Sequence, residues 1–210
     1  RFSPQIAFIQ ARLSPTGRFG SHLVLGALVL IGAAWLFGGI AEDVVNGDPL
    51  TVVDAHIATW FHAHAVPTVT LSMLLITNLH GIWGITILSL VMSLFLIWKR
   101  AWDWLLALVL VVPGGMLLNV LMKHAFGRAR PMFAEPMLAL TTYSFPSGHV
   151  AAATLFYGLL AAFMVTRIEA WRWRLLVTLV AFLIVVLVGL SRIYLGVHYL
   201  SDVLAAFAEG

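Results

Sequence analysis

Three short stretches of the 210-residue chain hold the residues best equipped for chemistry. The first is Lys123-His124-Ala125-Phe126-Gly127-Arg128-Ala129-Arg130-Pro131, the second is Phe145-Pro146-Ser147-Gly148-His149, and the third runs from Ser191-Arg192 to His198 and Asp202. Lysine supplies a point charge and arginine a planar fork that matches phosphoryl oxygens. A helix beginning at Ser147-Gly148 offers free backbone N–H groups to an anion. His198 and Asp202 are four residues apart, so on a helix they share a face. The carboxylate can then accept the Nδ1 proton and leave Nε2 as a nucleophile or a base. Taken singly, each cation has a plainer reading as a helix-end side chain whose charge snorkels to lipid headgroups. Together, three cations, two histidines, one carboxylate and a Ser-Gly pair are the parts needed to hold and attack a phosphate.

The elements that must position these residues are membrane helices. Apolar residues make up 61% of the chain and charged residues 10%, against about 25% charged in an ordinary soluble domain. The uncharged runs show where a bilayer can lie: 23 residues between Arg18 and Glu42, 44 between Asp54 and Lys99, 19 between Asp103 and Lys123, 31 between Glu135 and Arg167, and 17 between Arg174 and Arg192. A crossing helix needs about 20 apolar residues. Spans are therefore expected near 21–41, 68–98, 102–122, 149–166 and 174–191, with the opening turns of a sixth from Val197 to the last residue, Gly210. Residues 1–20 mix Phe2, Ile6, Phe8, Ile9 and Leu13 with Arg1, Gln10, Arg12 and Arg18, a pattern that predicts a segment lying in the membrane interface. The chain starts at Arg1 without an initiator Met and reads as a piece of a longer membrane protein, fused or adjacent to further membrane sequence. Zero cysteines exclude a disulfide framework, a thiol nucleophile and a Cys-ligated metal, and a net charge of +3 is too small for a nucleic-acid surface.

Orientation follows from Lys and Arg. With a cytoplasmic N-terminus and alternating spans, Arg1, Arg12, Arg18, Lys99, Arg100, Arg167, Arg172 and Arg174 lie inside, and Lys123, Arg128, Arg130 and Arg192 lie outside. This distribution obeys the positive-inside rule. Splitting 68–98 at Gly81 or Gly84 would invert everything downstream, so one long, tilted or partly interfacial segment is expected there. Trp98, Trp102, Trp104, Trp171 and Trp173 flank the inner basic turns as an aromatic belt.

Lys123-x6-Arg130-Pro131, then Pro146-Ser147-Gly148-His149, then Ser191-Arg192-x5-His198-x3-Asp202 resemble the three-part signature of the type-2 phosphatidic acid phosphatase superfamily, the integral-membrane lipid phosphate phosphatases. The resemblance covers roughly residues 50–210. It implies an all-α, six-helix transmembrane bundle, its sixth helix truncated here, with residues 21–210 as the phosphatase domain and the active site at the outer face. It also implies a two-step hydrolysis without metal or other cofactor. Carried onto this sequence, His198 attacks phosphorus to form a phosphohistidine, Asp202 fixes its tautomer, and His149 protonates the leaving oxygen and later activates water. Lys123, Arg130, Arg192, the Ser147 hydroxyl and the Gly148 N–H hold the phosphoryl oxygens. The implied partners are the bilayer and a lipid phosphate or pyrophosphate reached from the periplasmic side of a bacterial inner membrane. Undecaprenyl pyrophosphate comes first, ahead of phosphatidylglycerol phosphate and phosphatidic acid, on the strength of the family alone.

Other residues invite less. His62 and His64 have no third ligand at metal-site spacing, and His22, His56 and His80 are scattered near helix ends. His124 and Arg128 sit inside the first motif and either contact a phosphate or headgroup or face water. Tyr194 and Tyr199 read as packing residues, and Gly114-Gly115 after Pro113 as a close helix contact or a kink. Three competing functions are an intramembrane serine protease built on Ser147 and His198, a non-catalytic carrier or flippase for anionic lipid, and a haloperoxidase. The three cations have no use in the protease, the His198/Asp202 pair with His149 has none in the carrier, and the spans and lack of a soluble helical domain disfavour the haloperoxidase.

Overall fold

The computed structural model describes residues 18–210, with side chains from Val24 onward. The expected interfacial segment at 1–20 therefore lies outside the described residues apart from its last three, and the side chain of His22 lies outside them as well. Eight helices follow in order: α1 (Arg18–Asn46), α2 (Pro49–Ala63), α3 (Pro67–Leu79), α4 (Ile82–Trp98), α5 (Trp102–Phe126), α6 (Gly148–Val165), α7 (Trp171–Tyr194) and α8 (Leu200–Glu209). Among the described residues, four helices are long and apolar enough to cross a membrane alone: α1 from Val24, α5, α6 and α7. The pair α3 and α4, bent by 50°, makes a fifth candidate, and the chain is a multi-pass membrane protein. The described residues thus display up to five spans, with the short α8, of 10 residues, in the sixth position.

The single segment expected over 68–98 is two helices. His80 and Gly81 break it, and both ends of α3 stay at one end of the bundle. Val66 and Thr70 at its start bond to Tyr194, Thr77 near its end bonds to Arg192, and Gly81 faces His149. Only α4 runs to the opposite end, where Trp98 and Lys99 lead into α5. The break thus falls beside Gly81, where the sequence tempted a split, and α3 alone does not carry the chain from one end of the bundle to the other. The sequence reading did not anticipate α2 at all, since its 15 residues are too few to span and carry Asp54.

Helix α6 is the hub. Val150, Ala151, Ala152 and Ala153 are buried, and their small side chains let α5, α7 and α8 approach closely, which is how helices associate where lipid removes the hydrophobic drive. On one side Ile85, Met92, Leu96, Leu108, Val112, Leu155, Phe156 and Phe163 interdigitate between α4, α5 and α6. On the other, Val150 and Ala151 meet Val185, Val188, Val203 and Ala206 of α7 and α8. Helix α5 continues through Pro113, and Gly115 marks a close contact, since a Cβ there would come 2.4 Å from a Leu155 methyl. At the end of the bundle that carries Lys99, its ammonium lies over the Trp98 ring, while Trp104 packs edge-on against Phe163.

Gly84 sets the bend. A Cβ built on it would fall 1.9 Å from the carbonyl oxygen of Leu79, so the last turn of α3 can fold onto the first turn of α4 only if this position lacks a side chain. Gly84→Ala is expected to cost about 1–3 kcal/mol through the forced shift, read as a lower melting temperature in detergent. Gly32→Ala, with nothing within 4 Å of the new methyl, serves as the neutral control; equal melting of the two variants would contradict this account of the bend.

Candidate functional site

The three motifs meet at one end of the bundle. Lys123 stands in the last turn of α5, which Gly127 terminates at φ 58°, a left-handed conformation natural to glycine. The chain then loops through Arg128 and Arg130 to Ser147, the N-cap residue of α6, with Gly148 and His149 opening the helix. Arg192 lies in the last turn of α7, and Gly196, at φ 68°, turns the chain so that His198 faces back toward the start of α8, where Asp202 sits.

Backbone and side-chain bonds lock the parts together. Lys123 Nζ donates to the carbonyls of Pro146 (2.7 Å), Tyr143 (2.9 Å) and Ser144 (3.3 Å). The Ser147 N–H donates to the Asp202 carbonyl at 3.0 Å. Arg130 spends its whole fork on the protein: Nε on the Thr142 carbonyl, Nη2 on Thr142 Oγ1 and the Tyr143 carbonyl, and Nη1 on the Val197 carbonyl and His198 Nε2 (3.1 Å). An arginine has only protons to offer, so His198 Nε2 accepts and carries the lone pair. His198 Nδ1 is then the N–H, pointing at Asp202 Oδ2 at 3.3 Å. This is the tautomer that the four-residue spacing anticipated.

Arg192 differs from the other cations. It is 1% exposed, and one of its nitrogens donates to Thr77 Oγ1. Its Nε and Nη2 are buried with no protein acceptor among the described residues, as is the hydroxyl of Ser147. Buried donors without partners are expensive, and when charged especially so. Donors of this kind beside a free helix N-terminus make a pocket whose natural occupant is an anion. A cavity of about 940 Å³ adjoins the start of α6, walled by apolar side chains of α4, α5 and α6 such as Ile85, Leu108, Val112 and Met116, and ending at Lys123, Gly148 and His149; Arg192 and Ser147 are not among its lining residues.

Every expected site residue therefore comes to this end, but Lys123 and Arg130 are bonded to the loop backbone, so their donors reach an anion only by exchanging a carbonyl. Arg128, left open by the sequence, neither faces water nor waits for a ligand: it bridges Asp202 Oδ1 (2.5 Å) and Asp54 Oδ2 (2.9 Å) and lies over the Tyr199 ring. His124 bonds the Val120 carbonyl and lines the cavity. Tyr194 ties α7 to Val66 and Thr70, and His80 is held between the Ile76 carbonyl and Tyr157. His62 stacks on Phe133 and His64 on Trp60; among the described residues no group of three or more His, Asp or Glu is spaced for a metal ion. Sequence reasoning missed Asp54, Thr77 and Ser201. Asp54 carried a signal, being a lone carboxylate in the apolar run Thr51-Val52-Val53-Asp54-Ala55, whereas Thr77 and Ser201 carried none.

A family model described as the PAP2 superfamily matches residues 101–210, just over half of the chain. Phosphatidylglycerophosphatase B of Bacillus subtilis (strain 168) is 41% identical over 114 residues, 54% of this chain and 55% of that protein. Undecaprenyl-diphosphatase of Sulfolobus acidocaldarius is 31% identical over 125 residues, 57% of this chain and 56% of that protein. The matches thus span about half the length of these relatives. A crystal structure of a transmembrane PAP2-type phosphatidylglycerolphosphate phosphatase from Bacillus subtilis superposes with a TM-score of 0.78 at 30% identity, covering 85% of this chain and 89% of that one.

The His198 ring has a testable protonation state. Burial first, and then the positive charges of Arg192, Arg130 and Lys123, push its pKa well below the ordinary value. A lowered pKa demands more acid to protonate the ring, so it stays neutral as pH falls through 6.5. A ¹⁵N NMR titration of the histidine side chains in micelles should show the His198 nitrogens still in the neutral Nδ1–H form at pH 6; protonation at or above pH 6.5 would overturn the electrostatic picture.

Proposed function

The chain belongs to the PAP2 superfamily, and on that premise we propose that it is a membrane phosphatase that hydrolyses a lipid phosphate or pyrophosphate through a phosphohistidine. The observation that carries the reading is Arg192, buried with two donors that find no acceptor among the described residues, beside the Ser147 hydroxyl, which finds none there either.

The reaction follows from the tautomer. The Nε2 lone pair of His198 attacks phosphorus in line, the bond to the leaving oxygen breaks, and His149 delivers the proton that oxygen needs. Asp202, on Nδ1–H, stabilises the imidazolium character of the phosphohistidine. His149, now a base, takes a proton from water as the water attacks phosphorus, and the P–N bond returns its electrons to Nε2. Arg192, the Ser147 hydroxyl and the Gly148 N–H receive the phosphoryl oxygens directly. Lys123 and Arg130 join by trading loop carbonyls for phosphate, and Arg130 must leave Nε2 before that atom can attack. Phosphoryl transfer asks mainly for positioning and charge neutralisation, and three cations supply the latter without a metal.

Lipid as substrate follows from the apolar cavity ending at Lys123, Gly148 and His149. The names of the relatives point to phosphatidylglycerol phosphate and to undecaprenyl pyrophosphate. The higher identity of the former makes it the first substrate to try, although the family resemblance alone puts the pyrophosphate ahead. The site end lies opposite the basic turns at Lys99-Arg100 and Arg167–Arg174, which supports a periplasmic active site in an inner membrane. A serine protease would need Ser147 bonded to a histidine; its hydroxyl has no such partner among the described residues, and the Nε2 of His198 is bonded to Arg130.

Purified protein in EDTA should release inorganic phosphate from phosphatidylglycerol phosphate or undecaprenyl pyrophosphate in mixed micelles. His198→Ala should fall to background, and Arg192→Ala should lose about two to three orders of magnitude in kcat/KM, as for removal of one transition-state donor. A His198→Ala protein with the wild-type rate would sink the mechanism, and loss of wild-type activity in EDTA would sink its metal independence.

A further inference from the structure

Asp54 lies on α2, far in sequence from the three motifs and outside the matched residues 101–210. It is completely buried. A carboxylate in that position must be compensated, and its bonds run to the first and third motif segments, through Arg128 and Ser201. Oδ1 accepts the backbone N–H of Ser201 at 2.9 Å, and Oδ2 accepts the Ser201 hydroxyl and Nη2 of Arg128. The Ser201 N–H is one of the free donors in the first turn of α8, so Asp54 caps that helix from another element. Arg128 turns its other terminal nitrogen to Asp202 Oδ1 at 2.5 Å and to Ser201 Oγ at 2.7 Å. Asp202 Oδ2 is thereby left to the Tyr199 N–H and to His198 Nδ1.

We propose that Asp54 is a positioning residue for His198, acting through Arg128. The reading rests on the phosphatase assignment above. The guanidinium is shared between two carboxylates, so Asp202 is oriented by it without being neutralised by it. With Asp54 present, the Asp54–Arg128–Asp202 group carries one net negative charge beside the Nδ1–H of His198, where positive charge develops as the phosphohistidine forms. With Asp54 made neutral, Arg128 and Asp202 form a closed pair, Asp202 attracts the imidazolium less, and the start of α8 loses its charged cap. None of these groups lies among the walls of the apolar cavity, so the effect belongs to turnover and not to lipid binding.

In the full chain, Asp54→Asn should lower kcat by about 10- to 100-fold, the worth of one hydrogen bond to a charged group, with KM within about twofold of wild type. Arg128→Gln should fall similarly. The double variant should fall no further than Arg128→Gln alone, because the two residues act in series. The Nδ1 proton of His198 should move upfield in the ¹H spectrum of Asp54→Asn, and Asp48→Asn, at the N-cap of the same helix, should keep wild-type kcat. Wild-type kcat in Asp54→Asn, a loss confined to KM, or independent losses that multiply in the double variant would each overturn the proposal. Should Asp54→Asn fail to fold, Arg128→Lys, which keeps the charge but cannot span two carboxylates, carries the same expectation and the same refutation. Activity surviving in His198→Ala would defeat the phosphatase reading itself; wild-type turnover in Asp54→Asn with His198→Ala inactive would defeat only the role of Asp54.

Discussion

Charge buried at one end of an apolar bundle must be compensated within a few ångströms, and the organisation of this molecule follows from how four cations meet that demand. Lys123 is surrounded by three neutral carbonyls, Arg130 by carbonyls, a hydroxyl and an imidazole, and Arg128 by two carboxylates. Arg192 has one hydroxyl from Thr77 and no other acceptor among the described residues. Carbonyls and hydroxyls solvate a cation without cancelling its charge, so the positive potential survives wherever they are the partners. Only at Arg128 is it cancelled, and there the surplus is negative. The end of the bundle is therefore polarised, with an anion-seeking pocket on one side of His198 and an anionic support on the other.

Helices and loops are arranged to make that polarisation stable. Helix α6 brings its N-terminus into the pocket because its alanine-rich face can bury itself among α5, α7 and α8. The loop from Gly127 to Ser147 has little secondary structure of its own, and it is Lys123 and Arg130 that hold it down through its carbonyls. These two cations thus do structural work at rest and, in the proposed reaction, exchange it for phosphate. The exchange replaces one set of oxygen acceptors by a better one, so its net cost is small beside the gain from a charged ligand.

The membrane class, four of the helices to within five residues of their ends, and the eight candidate residues that the structure gathers at one end of the bundle were legible in the sequence, because charge-free runs and motif spacing are local quantities. The sequence could not reveal the bend at Gly84, which depends on a backbone-to-backbone approach across two helices. Nor could it place Arg128, whose identity at 128 is compatible with solvent, headgroup or ion pair until Asp54 is seen 74 positions away to share it. Thr77 was invisible for the same reason. A threonine in an apolar helix ordinarily bonds its own preceding turn, and only the packing of α3 on α7 turns this one to Arg192. Helix α2 was overlooked because the search was tuned to spans, and 15 residues with a carboxylate do not make one.

The apolar cavity and the two histidines fit one direction of reaction. His149 and Gly148 line the cavity where it reaches the polar end, whereas His198 is 1% exposed and lies behind the pocket, outside the cavity lining. In the proposed reaction, a lipid whose chains fill the space between α4, α5 and α6 would present its ester or anhydride oxygen on the His149 side and its phosphorus toward Arg192. Attack by Nε2 from the face opposite the leaving oxygen is what in-line displacement requires. On that reading His149 stands where a proton donor is needed, the departing lipid leaves by the path along which it came, and water entering the vacated cavity meets His149 first. One opening would thus serve the leaving group and the second nucleophile, and one histidine would act as acid and then as base without moving.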